Sequence, residues 1–257
     1  MNFFFHTSCQ NIKSKLSIPR FSNHSYLVRH INLYAFNIDN GSWRAKKINL
    51  KKNINWYFIE SNRFNSDEIY CFCSEEEKDL MVKSNELQDL NNYTDTSPDY
   101  RSNLKITNNL GGFSSYQSEY PIALTKIESP IYSEIGLLTD SDNINQVGVF
   151  FRNVFYLPSK ETKSVYLVDL NNDQIIYEFS VKQNSTNFLD LTQWKNDIKN
   201  YALLTTNISG IPIYMIEYAN GSISFEHTHP PHESISGEKK FQLVSKMKKD
   251  ALKKVNL

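Results

Sequence analysis

What most constrains the fold of this chain is the recurrence of short β-prone runs bounded by turn residues, with little helical pattern between them. Runs such as Val147 to Tyr156, Ser164 to Leu170, Gln174 to Ser180 and Ile211 to Tyr218 are rich in Val, Ile, Tyr and Phe, which suit a pleated, half-buried surface. Asn40-Gly41, Asn220-Gly221 and Asn171-Asn172-Asp173 stand where hairpins must turn. Strands recurring about every 8–12 residues with such turns between them mark a sandwich or barrel, not alternating βαβ units. The expected fold is therefore mostly β: an antiparallel β-sandwich-like protein, either one elaborated sandwich or two packed β domains. The 257 residues suffice for a sizeable core in either case, and an aromatic content of 13% agrees with the β reading.

Two stretches break the β rhythm. Ser74-Glu75-Glu76-Glu77 has the form of a capping box, with acidic residues suited to a first helical turn, and predicts a short helix near 75–83. At the far end, Phe241, Val244, Met247, Ala251 and Val255 fall on one stripe of a Lys-rich segment, predicting an amphipathic C-terminal helix near 239–255. Residues 1–22 read as a poorly ordered arm or edge strand, 23–100 as an N-terminal β-rich region, and 101–257 as a C-terminal sandwich-like region. Any boundary is expected between 84 and 110, because residues 84–100 are polar and rich in turn formers.

Charge excludes one class of partner. With 28 basic and 28 acidic residues the formal net charge is zero, so no nucleic-acid partner is expected from phosphate neutralisation. The three cysteines, Cys9, Cys71 and Cys73, form a poor disulfide framework and fit a reducing compartment. The opening Met1-Asn2-Phe3-Phe4-Phe5-His6 lacks the basic start and the longer apolar core of a signal peptide. No run approaches the ~20 apolar residues of a membrane span. A soluble, cytoplasmic protein is expected; nothing specifies an oligomer.

The most chemically pointed stretch is Phe225-Glu226-His227-Thr228-His229-Pro230-Pro231-His232-Glu233, which holds three of the six histidines. His227 and His229 lie on one side of an extended strand, and Pro230-Pro231 halts that strand so that Glu233 or His232 can fold back. His227, His229 and Glu233 are thus candidate ligands for a divalent transition metal (Zn, Fe, Mn or Ni), with His232 or Glu226 as candidate acid or base. The spacing Gly221, five residues, His227-x-His229, three residues, Glu233 resembles the first metal motif of the cupin superfamily. That resemblance spans about thirteen residues. A cupin would need a further histidine on a later strand, none follows His232, and the chain is not read as a cupin.

A second candidate site is polar without being metal-like. Phe113-Ser114-Ser115-Tyr116-Gln117-Ser118-Glu119 combines hydroxyls, aromatic rings, an amide and a carboxylate. With Tyr100 and Arg101 upstream, the residues Tyr116, Gln117 and Glu119 suit a hydroxyl-rich or glycan-like ligand, through ring faces and planar hydrogen-bonding groups. Nucleotide-binding glycine loops, GxSxG, HExxH and CxxC are all missing. Two functions follow from the sequence. The first is a β-sandwich binding module for a glycan or small polar ligand, with no certain cofactor. The alternative is a metal-dependent enzyme on a small polar substrate, using His227, His229, His232 and Glu233.

Overall fold

A computed structural model describes residues 3–9, 11–19, 32–49, 51–52, 56–90, 102–120, 125–135, 143–227 and 237–257. Strands occupy 51% of the chain and are gathered into four antiparallel sheets, arranged as the four blades of a β-propeller ring with one C-terminal helix. The chain first weaves between two of these blades. Strand β1 (Phe3–Phe4) enters blade I and β2 (Lys13–Pro19) enters blade II. The β3–β4 hairpin (Asn32–Asp39, Ser42–Lys47) returns to blade I, and β5 (Lys51–Lys52) and β6 (Trp56–Glu60) to blade II. Then β7 (Ile69–Cys73) joins blade I, β8 (Asn103–Thr107) and β9 (Phe113–Tyr116) join blade II, and β10 (Glu119–Tyr120) closes blade I. Residues 102–120 thus complete sheets begun by residues 3–19.

The second half repeats the habit with the other two blades. Blade III takes β12 (Ile144–Asn153), β15 (Ser185–Asp190), β17 (Ile211–Tyr218) and β18 (Ile223–Glu226). Blade IV takes β11 (Ser129–Glu134), β13 (Thr162–Asp169), β14 (Gln174–Lys182) and β16 (Tyr201–Ile208).

The expected β-sandwich is corrected by what covers blade III. In a two-layer sandwich each sheet has one core face and one solvated face. Here Phe150, Ile213, Met215 and Phe225 of blade III join the core built by blades I and II. Their neighbours Val149, Phe151, Tyr214 and Ile216 point the other way, into a second core shared with Val165, Leu167 and Leu203 of blade IV. Seven successive residues at the end of β12 are consequently buried, against the period-2 alternation of a half-exposed strand.

Both helices form where sequence chemistry places them. Helix α1 (Glu75–Ser84) begins at a complete capping box: Glu77 N–H donates to Ser74 Oγ (3.1 Å) and Ser74 N–H to Glu77 Oε2 (2.8 Å). Asn85 ends the helix in the left-handed region, φ 60°, and its Oδ1 accepts from the Trp43 N–H at 2.8 Å, tying α1 to β4. Ser74→Ala is expected to destabilise the protein by about 1 kcal/mol, read as a lower urea midpoint with unchanged slope. Helix α2 (Lys240–Lys254) covers the outer face of blade IV, where Val255 meets Val168 and Leu204. No described helix is long and apolar enough to cross a membrane.

A polar staple joins blade I to blade III. Arg152 of β12 is 1% exposed, and its guanidinium donates to Ser66 O (3.3 Å), Thr186 Oγ1 (2.6 Å) and Glu68 O (2.9 Å). The loop that it holds is also fastened by Thr186 N–H and Ser185 Oγ, both donating to Ser66 O, and by Lys182 Nζ to Asp67 Oδ2 at 2.6 Å. Burial lowers the Arg152 pKa to about 10, which leaves it charged at neutral pH.

Candidate functional site

The two stretches singled out in the sequence meet at one point. Strand β9 pairs with β8 in register Leu104 with Tyr116, so Tyr116 turns inward with Leu104 while Phe113 and Ser115 face out. Behind β9 the Tyr116 ring stands edge-on to Phe225 (centroids 6.1 Å, 80°) and to His227 (5.3 Å, 88°). The imidazole therefore rests against an aromatic wall.

What brings the stretches together is a side chain and a glycine that sequence reasoning passed over. Asn108 is buried, and its Nδ2 donates to Glu217 Oε1 (2.6 Å) and to Gly221 O (2.9 Å). Its Oδ1 accepts from Leu110 N–H (3.1 Å) and Gly112 N–H (2.8 Å). This pins the β8–β9 turn of blade II to the β17–β18 turn of blade III. A Cβ built on Gly112 would lie 1.8 Å from Gly221 O, so only glycine permits the approach. The signal was the Gly111-Gly112 pair, but its partner lies more than a hundred positions away.

Of the expected ligand-binding residues, Gln117 is exposed at the end of β9. Glu119 is not on the surface: it is 8% exposed, and its Oε1 accepts from the Ser102 N–H, while Ser102 Oγ meets Ser118 Oγ at 2.7 Å. Its role is to anchor the start of β8. Tyr100 and Arg101 lie outside the described residues.

Among the described residues no group of three or more His, Cys, Asp or Glu side chains could hold a metal ion. Of the expected set, His229, His232 and Glu233 lie outside the described residues. Glu226 is exposed and turns back to accept from the His227 N–H at 3.0 Å, which directs its carboxylate to backbone. Cys71 and Cys73 are wholly buried in β7, and burial raises the Cys71 thiol well above its ordinary value. That favours the inert protonated form over a thiolate ligand.

Among the described residues, the outward face of blade II forms a polar surface built across several strands. Exposure alternates along β2 and β8, sending Lys13 and Lys15 outward with Asn103 and Lys105, while Leu16, Leu104 and Ile106 go to the core. Glu60 of β6 lies beside Lys15, and Ser115 of β9 beside Lys105. Phe113 is 64% exposed at one side of the face, with Lys105 Nζ 4.3 Å from its ring centre. Phe58 lies towards the other side, with Lys15 Nζ at 4.0 Å. Between them is an open depression of about 500 Å³ lined by Lys13, Lys15, Glu60, Asn62, Lys105 and Thr107. A second cleft, about 430 Å³, runs between α2 and blade IV. Its lining is mainly apolar, with Lys254 and Asp173 3.4 Å apart at the rim, and it reads as the seam of a lightly docked helix.

No family model matches the chain, and no curated protein matches it. Among solved structures, one similar to it is the crystal structure of Streptomyces avermitilis alpha-L-rhamnosidase complexed with L-rhamnose, at 6% identity and a TM-score of 0.22. The match covers 89% of this chain and 27% of that one, so the chain spans little more than a quarter of that protein's length. A likeness at this level carries no argument about function.

Proposed function

We propose that this protein is a binding module for a hydroxyl-rich, glycan-like ligand, taken on the outward face of blade II. The observation that carries the reading is an open sheet face bearing two aromatic rings, Phe58 and Phe113, separated by a polar depression lined with hydroxyl, amide and ammonium groups. Sugar rings offer C–H faces to aromatic side chains and hydroxyls to planar polar groups, and both kinds of partner occur here. Gln117, exposed just after β9, offers a further amide outside the lining of the depression. Tyr116 and Glu119 act from behind, one bracing β9 against blade III and the other fixing the start of β8.

The test is a glycan array with the intact protein, followed by titration calorimetry on any hit. Phe113→Ala is expected to weaken binding at least tenfold, a size in keeping with loss of a ring contact worth about 1–1.5 kcal/mol beyond area. Gln117→Ala is expected to weaken it severalfold. An array without hits, or hits whose affinity ignores Phe113→Ala, would remove the reading.

A further inference from the structure

We infer that the ligand of this face is an anionic glycan, one carrying carboxylate or sulfate groups, gripped between Lys15 and Lys105; the inference rests on the reading of blade II as a glycan site. The β2–β8 register sets Lys15 directly opposite Lys105, and sets Lys13 opposite Thr107 two residues along. Like charges directly opposite on one face of an antiparallel pair are destabilising. Three ammonium groups and a single carboxylate, Glu60, line the depression. The whole protein has a formal net charge of zero, so this excess is local and does not reflect a generally basic surface.

Glu60, opposite Lys15, offsets one of the three charges and leaves an excess of two. Among the described residues neither Lys15 nor Lys105 is ion-paired; each ammonium instead lies over a ring, Phe58 or Phe113. An anion seated between the two would relieve the cross-strand repulsion and leave both rings beside it. A carboxylate or sulfate on a sugar supplies that anion, and the remaining hydroxyls face Asn62 and Thr107.

The spacing of the rings disfavours single-stranded nucleic acid, the other polyanion that uses basic and aromatic groups together. Phe58 and Phe113 stand on β6 and β9, with β2 and β8 between them. Phe58 is level with Asn103 and Phe113 with Thr107, four residues along; at ~4.8 Å per strand and ~3.4 Å per residue the two positions are about 20 Å apart. They therefore cannot form a continuous track for stacking successive bases. Separate rings flanking a cationic centre suit a chain of saturated sugar rings with charge between the contacts.

The decisive comparison uses oligogalacturonate and the same oligomer fully methyl-esterified, with a heparin-derived oligosaccharide and an oligothymidylate alongside, each titrated into the full chain. The charged galacturonate or the heparin fragment is expected to bind at least tenfold tighter than the ester, with affinity falling as salt rises. The double variant Lys15→Gln/Lys105→Gln should lose at least tenfold for the charged glycan and, with it, the preference for the charged oligomer over the ester, while Phe113→Ala weakens binding of both. Because both lysines are exposed and repel each other, the double variant should melt no lower than the parent, which shows that it folds. Equal binding of charged and esterified oligomers overturns the anionic inference and leaves the glycan reading standing. Failure of every saccharide overturns both, and tightest binding to oligothymidylate overturns both in favour of nucleic acid.

Discussion

Arg152→Leu should destabilise the protein by about 2–5 kcal/mol. Hydrogen bonds from a charged donor contribute ~1.5–3 kcal/mol each, and Arg152 makes them to Ser66 O, Glu68 O and Thr186 Oγ1. Against this stands the cost of keeping the guanidinium out of water. The fall of its pKa from 12.5 to about 10 places that cost at roughly 3 kcal/mol. The hydrogen bonds win: leucine would leave the Glu68 carbonyl without this donor, while Ser66 O keeps Thr186 N–H and Ser185 Oγ and Thr186 Oγ1 keeps His6 O. Arg152→Lys keeps the charge but lacks the fork that reaches three acceptors, and should fall between leucine and the parent. Equilibrium urea unfolding measures all three; a leucine variant within 1 kcal/mol of the parent would show that the staple is dispensable.

Acid should weaken the fold through His6, with the loss confined to a defined window. His6 is 1% exposed, its ring stands edge-on to Phe64 at 5.3 Å, and its Nε2 lies 3.0 Å from Ser14 Oγ. Burial lowers its pKa from 6.5 to about 4, so the native state holds the neutral ring. The unfolded chain takes up the proton below pH 6.5 while the native chain resists it until about pH 4. Stability from this group is therefore complete above pH 6.5, declines between 6.5 and 4, and is flat below, with a total loss of about 3 kcal/mol. The difference between parent and His6→Gln unfolding free energies, followed from pH 7.5 to 4, isolates this component from the carboxylates. A difference that stays constant across that range would sink the assignment.

Local chemistry was legible in the sequence, and long-range partnership was not. The Asn40-Gly41 turn formed with positive φ at both positions, 48° and 73°, and set Asp39 opposite Ser42. The hairpin around Asn171-Asn172-Asp173 formed as β13 and β14, and the capping box at Ser74 needed only four residues to announce itself. Nothing local marks Phe3 and Phe4 as an interior strand, because their partners are Tyr120 and Glu119 on one side and Cys71 and Tyr70 on the other. The same gap produced the sandwich expectation. Strand spacing reports how many strands exist, whereas the blade that each joins, and whether both its faces are covered, depend on partners elsewhere in the chain.

The candidate site divides along the same line. Tyr116 and His227 were recognisable as reactive or recognition-type residues, but their meeting depends on Asn108 reaching Gly221 and on Gly112 having no Cβ. Lys13, Lys15 and Lys105 look like ordinary solvated lysines in sequence. They acquire meaning only from the register that stacks Lys15 beside Lys105.

The weave of blade I also governs how the chain can be made. Its second strand from the edge, β1, is hydrogen-bonded on both sides, to β7 and to β10, so the sheet remains open until Tyr120 has been synthesised. At ~5–20 residues per second, translation from Phe3 to Tyr120 takes about 6–24 s. From the synthesis of β7 until that of β10, it is β1, both of whose residues are buried in the finished protein, that presents an unpaired hydrophobic edge. Early translation is thus the period in which this protein is most exposed to aggregation and most dependent on a chaperone at the ribosome exit, and slowing synthesis between β7 and β10 should lower its soluble yield.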